Sequence, residues 1–223
     1  MNVKLVSYSQ TTPEFEAQGV TDLQELIAFC AKVSNPSAQI NNETSERLIK
    51  YLIKHAHWSP LEMVNVCLEI DTTRDIAHQI VRHRSFAFQE FSQRYANPAE
   101  FGNQFVTREA RLQDTKNRQN SVEVDSEEDI HFAWADKQQE VIDKAKEVYD
   151  WAIANGIAKE QARVVLPEGN TKTRLYMNGT LRSWIHYIDL RSANGTQKEH
   201  MNIARACANV ISQVFPMATE LGS

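Results

Sequence analysis

No glycine-rich dinucleotide fingerprint and no phosphate-binding loop occurs in these 223 residues. Any nucleotide bound by this chain is therefore held by side chains, mainly Arg and His. No apolar run approaches the ~20 residues needed to cross a bilayer. The start, Met1-Asn2-Val3-Lys4-Leu5, lacks the layout of a signal peptide. Cysteine is scarce: Cys30, Cys67 and Cys207 are far apart and odd in number. They predict a reducing, cytoplasmic setting with no disulfide framework, and their apolar flanks predict buried free thiols. Basic excess is missing as well. A formal net charge of −5 argues against a general nucleic-acid binder. Neither an internal repeat nor a low-complexity segment is present. What is present is a hydrophobic content of 42%, enough for a real core.

Periodicity organises the chain. Residues 3–7 read as a short strand. Thr21 is placed to cap a helix through Leu23, Leu26, Ile27 and Cys30, with Glu25 in support. Residues 41–44 open a second helix carrying Leu48, Tyr51, Leu52 and His55. Residues 63–70 alternate, Met63 opposing Val64, Val66, Leu68 and Ile70, as a half-buried strand does. Thr72 or Thr73 caps a helix through Ile76, Ile80 and Val81. Residues 97–126 are polar and read as a loop or lid excursion within one domain spanning 1–223. Helical spacing returns over 127–153 through Ile130, Trp134, Val141, Ala145, Val148 and Ala152, ended by Gly156. A short helix over 159–164, a strand over 173–177, a helix over 181–190 capped by Thr180 and a last helix over 196–215 follow. Helices and antiparallel-looking strands mix without regular βα alternation, which predicts an α+β fold with a mixed or antiparallel sheet flanked by long helices.

The richest segment is 82–94. Arg82, His83 and Arg84 stand together where a helix-like run ends, and Glu90, Ser92 and Arg94 follow at two-residue spacing. In an extended segment those three share one face, with Phe91 and Gln93 on the other. An acceptor, a hydroxyl and a guanidinium side by side suit a phosphorylated ligand. The plain alternative is a solvated helix end, where cations favour the C-terminal dipole. Against it, Phe86, Phe88 and Phe91 are interleaved with the charges, and buried charges need partners.

Three further groups stand out. His55, His57, Ser59 and Glu62 surround a Pro-marked turn. A zinc site drawn from His55, His57, His78 and His83 is the alternative there, but no pair has the spacing of a metal motif and no metal is predicted. Arg163 sits alone in an apolar stretch, as a salt-bridged cation or as an anion clamp. Arg182 and His186, four apart, share a helix face, while Arg191 lies at the helix end on another azimuth.

Taken in order, these segments resemble the flavin-dependent thymidylate synthases. The match runs through His57-Trp-Ser59-Pro-Leu-Glu62, Gln79-Ile-Val-Arg82, His83-Arg84, Glu90-Phe-Ser-Gln-Arg94-Tyr95, Ala162-Arg163-Val-Val-Leu-Pro167 and Thr180-Leu-Arg182 through His186 to Leu190-Arg191. It covers roughly residues 20–215. The resemblance implies reductive methylation of deoxyuridylate to thymidylate, with methylenetetrahydrofolate as one-carbon donor, FAD as hydride carrier and NADPH as reductant. It implies a homotetramer with shared active sites. By the same resemblance Ser59, Arg82, His83, Arg84, Glu90, Thr180, Leu181, Arg182 and His186 contact FAD. Gln79, Arg82, Glu90, Phe91, Ser92, Gln93, Arg94, Arg163 and Arg191 surround deoxyuridylate. Ser92 is expected to bind, not attack. Arg191 is the catalytic candidate, since a cation at the uracil ring favours its N3-ionised form. The stretch Arg111-Leu-Gln-Asp-Thr-Lys-Asn-Arg-Gln-Asn-Ser121 resembles a subset of the family and carries no assigned role. Readings from other classes are a base-stacking nucleic-acid module, disfavoured by charge, and a histidine-based metallohydrolase.

Overall fold

The alternation at Val64, Val66, Leu68 and Ile70 produces the buried centre of an antiparallel sheet, none of the four being more than 1% exposed. The computed structural model describes residues 2–125 and 128–220. Met1 therefore lies outside the described residues. So do Ser126 and Glu127, where the predicted excursion ends and the predicted helix begins.

In chain order the elements are β1 (Asn2–Tyr8), α1 (Pro13–Glu16), α2 (Leu23–Ala31), α3 (Ser45–Lys54), β2 (Asn65–Thr73), α4 (Arg74–Ile80) and β3 (Ala87–Glu90). There follow β4 (Arg111–Gln113), β5 (Ser121–Glu123), α5 (Asp129–Ala154), α6 (Lys159–Ala162), β6 (Lys172–Thr180), α7 (Leu181–Ser192) and α8 (Lys198–Ile211). The main sheet has the order β1-β2-β6-β3, every pairing antiparallel. This is the α+β class that the sequence predicts.

Because side chains alternate across a strand, the sheet has two unlike faces. One is apolar. Val66, Leu68, Ile70, Leu175 and Met177 pack there against α2, α3, α4, α7 and α8 through Leu23, Ile27, Ile49, Ile76, Trp184, Ile188, Ile203 and Ile211. The other carries a polar ladder. Arg174 donates to both carboxylate oxygens of Asp71 at 2.7 and 3.1 Å, and the Tyr176 hydroxyl donates to Glu69 at 2.9 Å. A smaller apolar cluster of Phe105, Ile142, Tyr149, Ala152, Ala162 and Leu166 lies under α5. Among the described residues no helix is long and apolar enough to cross a membrane.

Three local expectations are corrected. The cap of α2 is Asp22, not Thr21: Oδ1 of Asp22 accepts from the Glu25 amide at 2.8 Å. A carboxylate is the stronger acceptor, and Thr21 instead donates its amide and hydroxyl to Glu25. The stretch after residue 97 is not a bare loop. It contains the β4–β5 hairpin, and Phe105 and Ala110 are buried within it. Helix α5 turns its predicted stripe partly outward: Ile130, Trp134 and Val141 are exposed, and the buried row is Gln138, Ile142, Ala145, Tyr149 and Ala152. Two rows share the helical period, and period alone does not say which faces the core.

The sheet closes tightly on the residue 82–94 segment. A Cβ placed on Gly179 of β6 would lie 2.7 Å from Cε1 of Phe86, so that ring occupies the space a side chain would need. Gly179→Ala is expected to destabilise the protein by about 1–3 kcal/mol through overpacking. Adding Phe86→Leu should recover part of that loss. Urea midpoints of the single and double variants measure both, and additive losses would show that the two positions do not compete for one volume.

Candidate active site

Helix α4 stops at the Arg-His-Arg cluster by forming successive turns. The Val81 amide donates to Ala77, the His83 amide to Ile80 at 3.0 Å and the Phe86 amide to His83 at 3.3 Å. These turns separate the three cluster side chains. Arg82 and Arg84 are exposed, while His83 is partly buried. Opposite stands α7, whose N-terminus is fixed by Thr180, its hydroxyl accepting from the Ser183 amide at 3.3 Å. The Ser183 hydroxyl donates to the Ser85 carbonyl at 3.3 Å and ties the helix to the turn.

At the other end of α7, Nε of Arg191 donates to Nε2 of His83 at 2.9 Å. Only a neutral imidazole with its proton on Nδ1 accepts that bond. Tyr187 stacks edge-on against His83 at 4.9 Å between centroids. Behind it His200 is fully buried. Its Nε2 lies 3.1 Å from the Tyr187 hydroxyl and its Nδ1 lies 3.2 Å from Oε1 of Gln79. Burial, and secondarily the Arg191 cation, push His83 down to about 4. Burial, then Arg191 and His83, push His200 down to about 3. Burial holds the Tyr187 phenol protonated, well above its ordinary range.

The remaining candidates fall into two other groups. Arg182 donates to Glu62 at 2.6 Å, and His186 packs on Trp58 at 4.4 Å between centroids. The predicted flavin residues on α7 therefore face the 57–62 turn, where Ser59 is exposed. Thr180 is half-buried, and the Leu181 side chain lies in the core. The third group lies past β3. Glu90 accepts from Thr173 at 2.9 Å and from Arg74 at 3.4 Å. Beyond it the extended reading fails. The chain turns at Ser92, whose carbonyl accepts from the Tyr95 and Ala96 amides at 3.1 Å each. Glu90, Ser92 and Arg94 therefore do not share one strand face. Arg94 reaches Glu160 of α6 at 3.5 Å, and Nε of Arg163 donates to the Glu160 carbonyl at 3.3 Å. Gln93 is buried, and its Nε2 has no partner among the described residues. A cavity of about 430 Å³ opens here, lined by Gln89, Glu90, Phe91, Glu100, Arg174 and Tyr176. A larger one of about 490 Å³ lies by Asp71, Thr73, Arg108 and Glu199, with none of Arg82, His83 or Arg84 in its wall. The chain thus keeps Gln79 and Arg191 in one group and Glu90 to Arg94 with Arg163 in another. Among the described residues no group of three His, Cys, Asp or Glu side chains could hold a metal ion.

Tyr187, Gln197, Glu199 and His200 also join this site through Gln79, and no motif marks them in the sequence. A signal for two of them was there. Stepping back along α8 from the core positions Ile203, Ala204, Cys207 and Ala208 lands on Glu199 and His200. A polar pair at core positions is an anomaly that calls for partners.

The family model described as thymidylate synthase complementing protein matches residues 18–217. A probable flavin-dependent thymidylate synthase of Paramecium bursaria Chlorella virus 1 is 48% identical over 97% of this chain and 96% of its own length. A flavin-dependent thymidylate synthase of Synechocystis is 47% identical over the same shares. Among solved structures, a UMP/dUMP methylase PolB from Streptomyces cacaoi, bound with 5-Br dUMP, superposes with a TM-score of 0.81. It covers 98% of this chain and 93% of its own at 23% identity, which establishes a common fold.

The two depressed histidines set a pH dependence. An unfolded histidine titrates near ~6.5, so between that pH and about 4 the unfolded chain binds more protons than the folded one at His83. The contribution is full above ~6.5 and is lost as pH falls towards the folded value. Urea midpoints should therefore drop between pH 7 and 4.5, and His83→Asn should flatten part of that drop. Equal slopes in the two proteins would remove the neutral-imidazole assignment.

Proposed function

The chain belongs to the flavin-dependent thymidylate synthase family, and we propose that it methylates deoxyuridylate reductively to thymidylate. Methylenetetrahydrofolate supplies the one-carbon unit, and NADPH supplies reducing equivalents through FAD. The observation that carries this reading is the placement of Arg191 against a neutral His83 at the end of the Arg-His-Arg cluster.

That contact occupies Nε of Arg191 and leaves its two Nη groups as donors for a ligand. A guanidinium at the uracil ring stabilises the N3-ionised form and so enriches C5 in electron density. C5 then bonds to the activated one-carbon unit without a protein nucleophile, and the methylene–nitrogen bond to the folate breaks and the C5 proton is lost as tetrahydrofolate leaves. The thiols agree: burial raises Cys30, Cys67 and Cys207 above their ordinary range, so none is an activated thiolate. Ser92, at a turn past β3, binds and does not attack.

Arg82, Arg84 and Arg182 with the hydroxyls of Ser59 and Thr180 form a donor set suited to the diphosphate of FAD. His186 on Trp58 adds an aromatic surface beside it. FAD, when bound, supplies the hydride that completes the methyl group. Glu90, Phe91, Gln93, Arg94 and Arg163 would grip the nucleotide, and the buried, unpartnered Nε2 of Gln93 suits that part. Gln79, Arg82 and Arg191 complete the set from another protomer. This separation of the substrate residues within one chain supports a homotetramer with shared sites. The exposed apolar row on α5 supports it further. We read the chain as one domain working in the cytoplasm.

Purified protein should be yellow and should form thymidylate from deoxyuridylate, methylenetetrahydrofolate and NADPH. Arg191→Lys should keep its flavin yet lose about 10²-fold in kcat, because a point-charge ammonium does not reproduce the planar fork. Unchanged turnover would take Arg191 out of the chemistry.

A further inference from the structure

We infer that Glu199 and Arg111 are positioning residues for the nucleotide site. The acceptor-only carboxylate of Glu199 sets the donor direction of a hydrogen-bond chain that ends on Gln79, His200 and Tyr187. The inference rests on reading Gln79 as a nucleotide contact, and it gives the β4–β5 hairpin a task.

The geometry starts at the hairpin. Nη2 of Arg111 donates to Oε1 of Glu199 at 2.5 Å, and both side chains are nearly enclosed, 12% and 9% exposed. Burial acts to raise the Glu199 carboxyl, but Arg111, the amide of Glu199 itself and Gln197 together hold it below its ordinary range. It is therefore ionised, and an ionised carboxylate only accepts. Gln197, 2.9 Å away, must then present its NH2 to Oε2 of Glu199. That turns Oε1 of Gln197 towards Gln79, which must donate Nε2 across 2.8 Å. The amide of Gln79 is thereby fixed with Oε1 towards Nδ1 of His200, 3.2 Å away. A carbonyl oxygen does not donate, so His200 carries its proton on Nδ1 and is a lone-pair acceptor at Nε2. Tyr187 fills that role by donating its hydroxyl proton across 3.1 Å. Every donor thus points towards Glu199, and each bond polarises the next.

The hairpin is held where it can do this. Lys198, next to Glu199, bridges Glu109 at 2.8 Å and also pairs with Glu123 of β5. With one Nε2 hydrogen used by Gln197 and one Oε1 lone pair used by His200, Gln79 has one donor and one acceptor left, in fixed places. A nucleotide meeting Gln79 meets an amide whose polarity was decided at the hairpin.

Glu199→Gln tests this sharply. Arg111 would still claim the amide oxygen of the new residue, so its NH2 would face Gln197. Both glutamines would have to turn over, and His200 would move its proton to Nε2. Glu199→Asp remains acceptor-only and should preserve the native order. The readout is long-range proton–nitrogen NMR of protein labelled at histidine nitrogen, the His200 signal being assigned by its loss in His200→Asn. Expected are Nδ1–H in the wild type and in Glu199→Asp, and Nε2–H in Glu199→Gln. In holoenzyme of equal flavin content, the KM for dUMP should rise about tenfold in Glu199→Gln, the scale of one misdirected hydrogen bond. The kcat should change less, and Glu199→Asp should recover most of the affinity. An Nε2–H wild type overturns the inference even if Glu199→Gln fails to fold. So does a Glu199→Gln protein with unchanged tautomer, or one with inverted tautomer and unchanged KM. A wild type that forms no thymidylate refutes the proposed activity instead, and with it the nucleotide role of Gln79, while the tautomers still decide the direction of the chain.

Discussion

A guanidinium can rest against a half-buried imidazole only while that imidazole is neutral, and the junction of α4, α7 and α8 is built around this condition. Arg191 supplies the charge, and His83 accepts from it. The surroundings that disfavour a second charge are the Tyr187 ring and the apolar packing of Phe86 and Trp184 behind it. Desolvation and charge repulsion therefore act in the same direction on His83. A protonated His83 would both repel Arg191 and lose its acceptor. The orientation of the guanidinium, and with it the proposed chemistry, follows from an imidazole that never needs to titrate near neutral pH.

The sheet makes this arrangement possible by dividing its two faces between different tasks. Its apolar side anchors α7 and α8 along their length, through Trp184, Ile188, Ile203 and Ile211. The Trp184 ring nitrogen donates to the Val66 carbonyl at 3.0 Å, so even the largest buried side chain meets its polar demand. With both helices seated, Arg191 and His200 are placed by packing rather than by loops. The residues past β3 are placed differently. There the chain leaves the sheet at Glu90, turns at Ser92 and is steered by single contacts to α6. A helix-borne half and a turn-borne half suit the proposed site, in which the first orients the uracil ring and the second grips the rest of the nucleotide.

Much of this was legible in the sequence. Alternation gave β2 because half its side chains are buried and half are not. Thr180 announced α7 because its hydroxyl and the Ser183 amide are three residues apart, as a cap requires. Motif order singles out the Arg-His-Arg cluster and Arg191, although nothing in the sequence predicts that His83 and Arg191 touch across 108 positions. Other features lay beyond reach. The turn at Ser92 breaks a two-residue periodicity that reads equally well as a continuing strand. The buried face of α5 is set by Phe105 and Leu166, which approach from distant segments. Arg111 looks like any surface cation until the hairpin brings it to Glu199.

The outer row of α5, with Trp151 60% and Val141 54% exposed, has a thermodynamic consequence. In the proposed assembly such a surface is buried between copies, so part of the free energy that keeps each copy folded is mass action rather than internal packing. For a chain of this kind dilution works as a denaturant does. Its melting temperature is then a property of the solution as much as of the sequence.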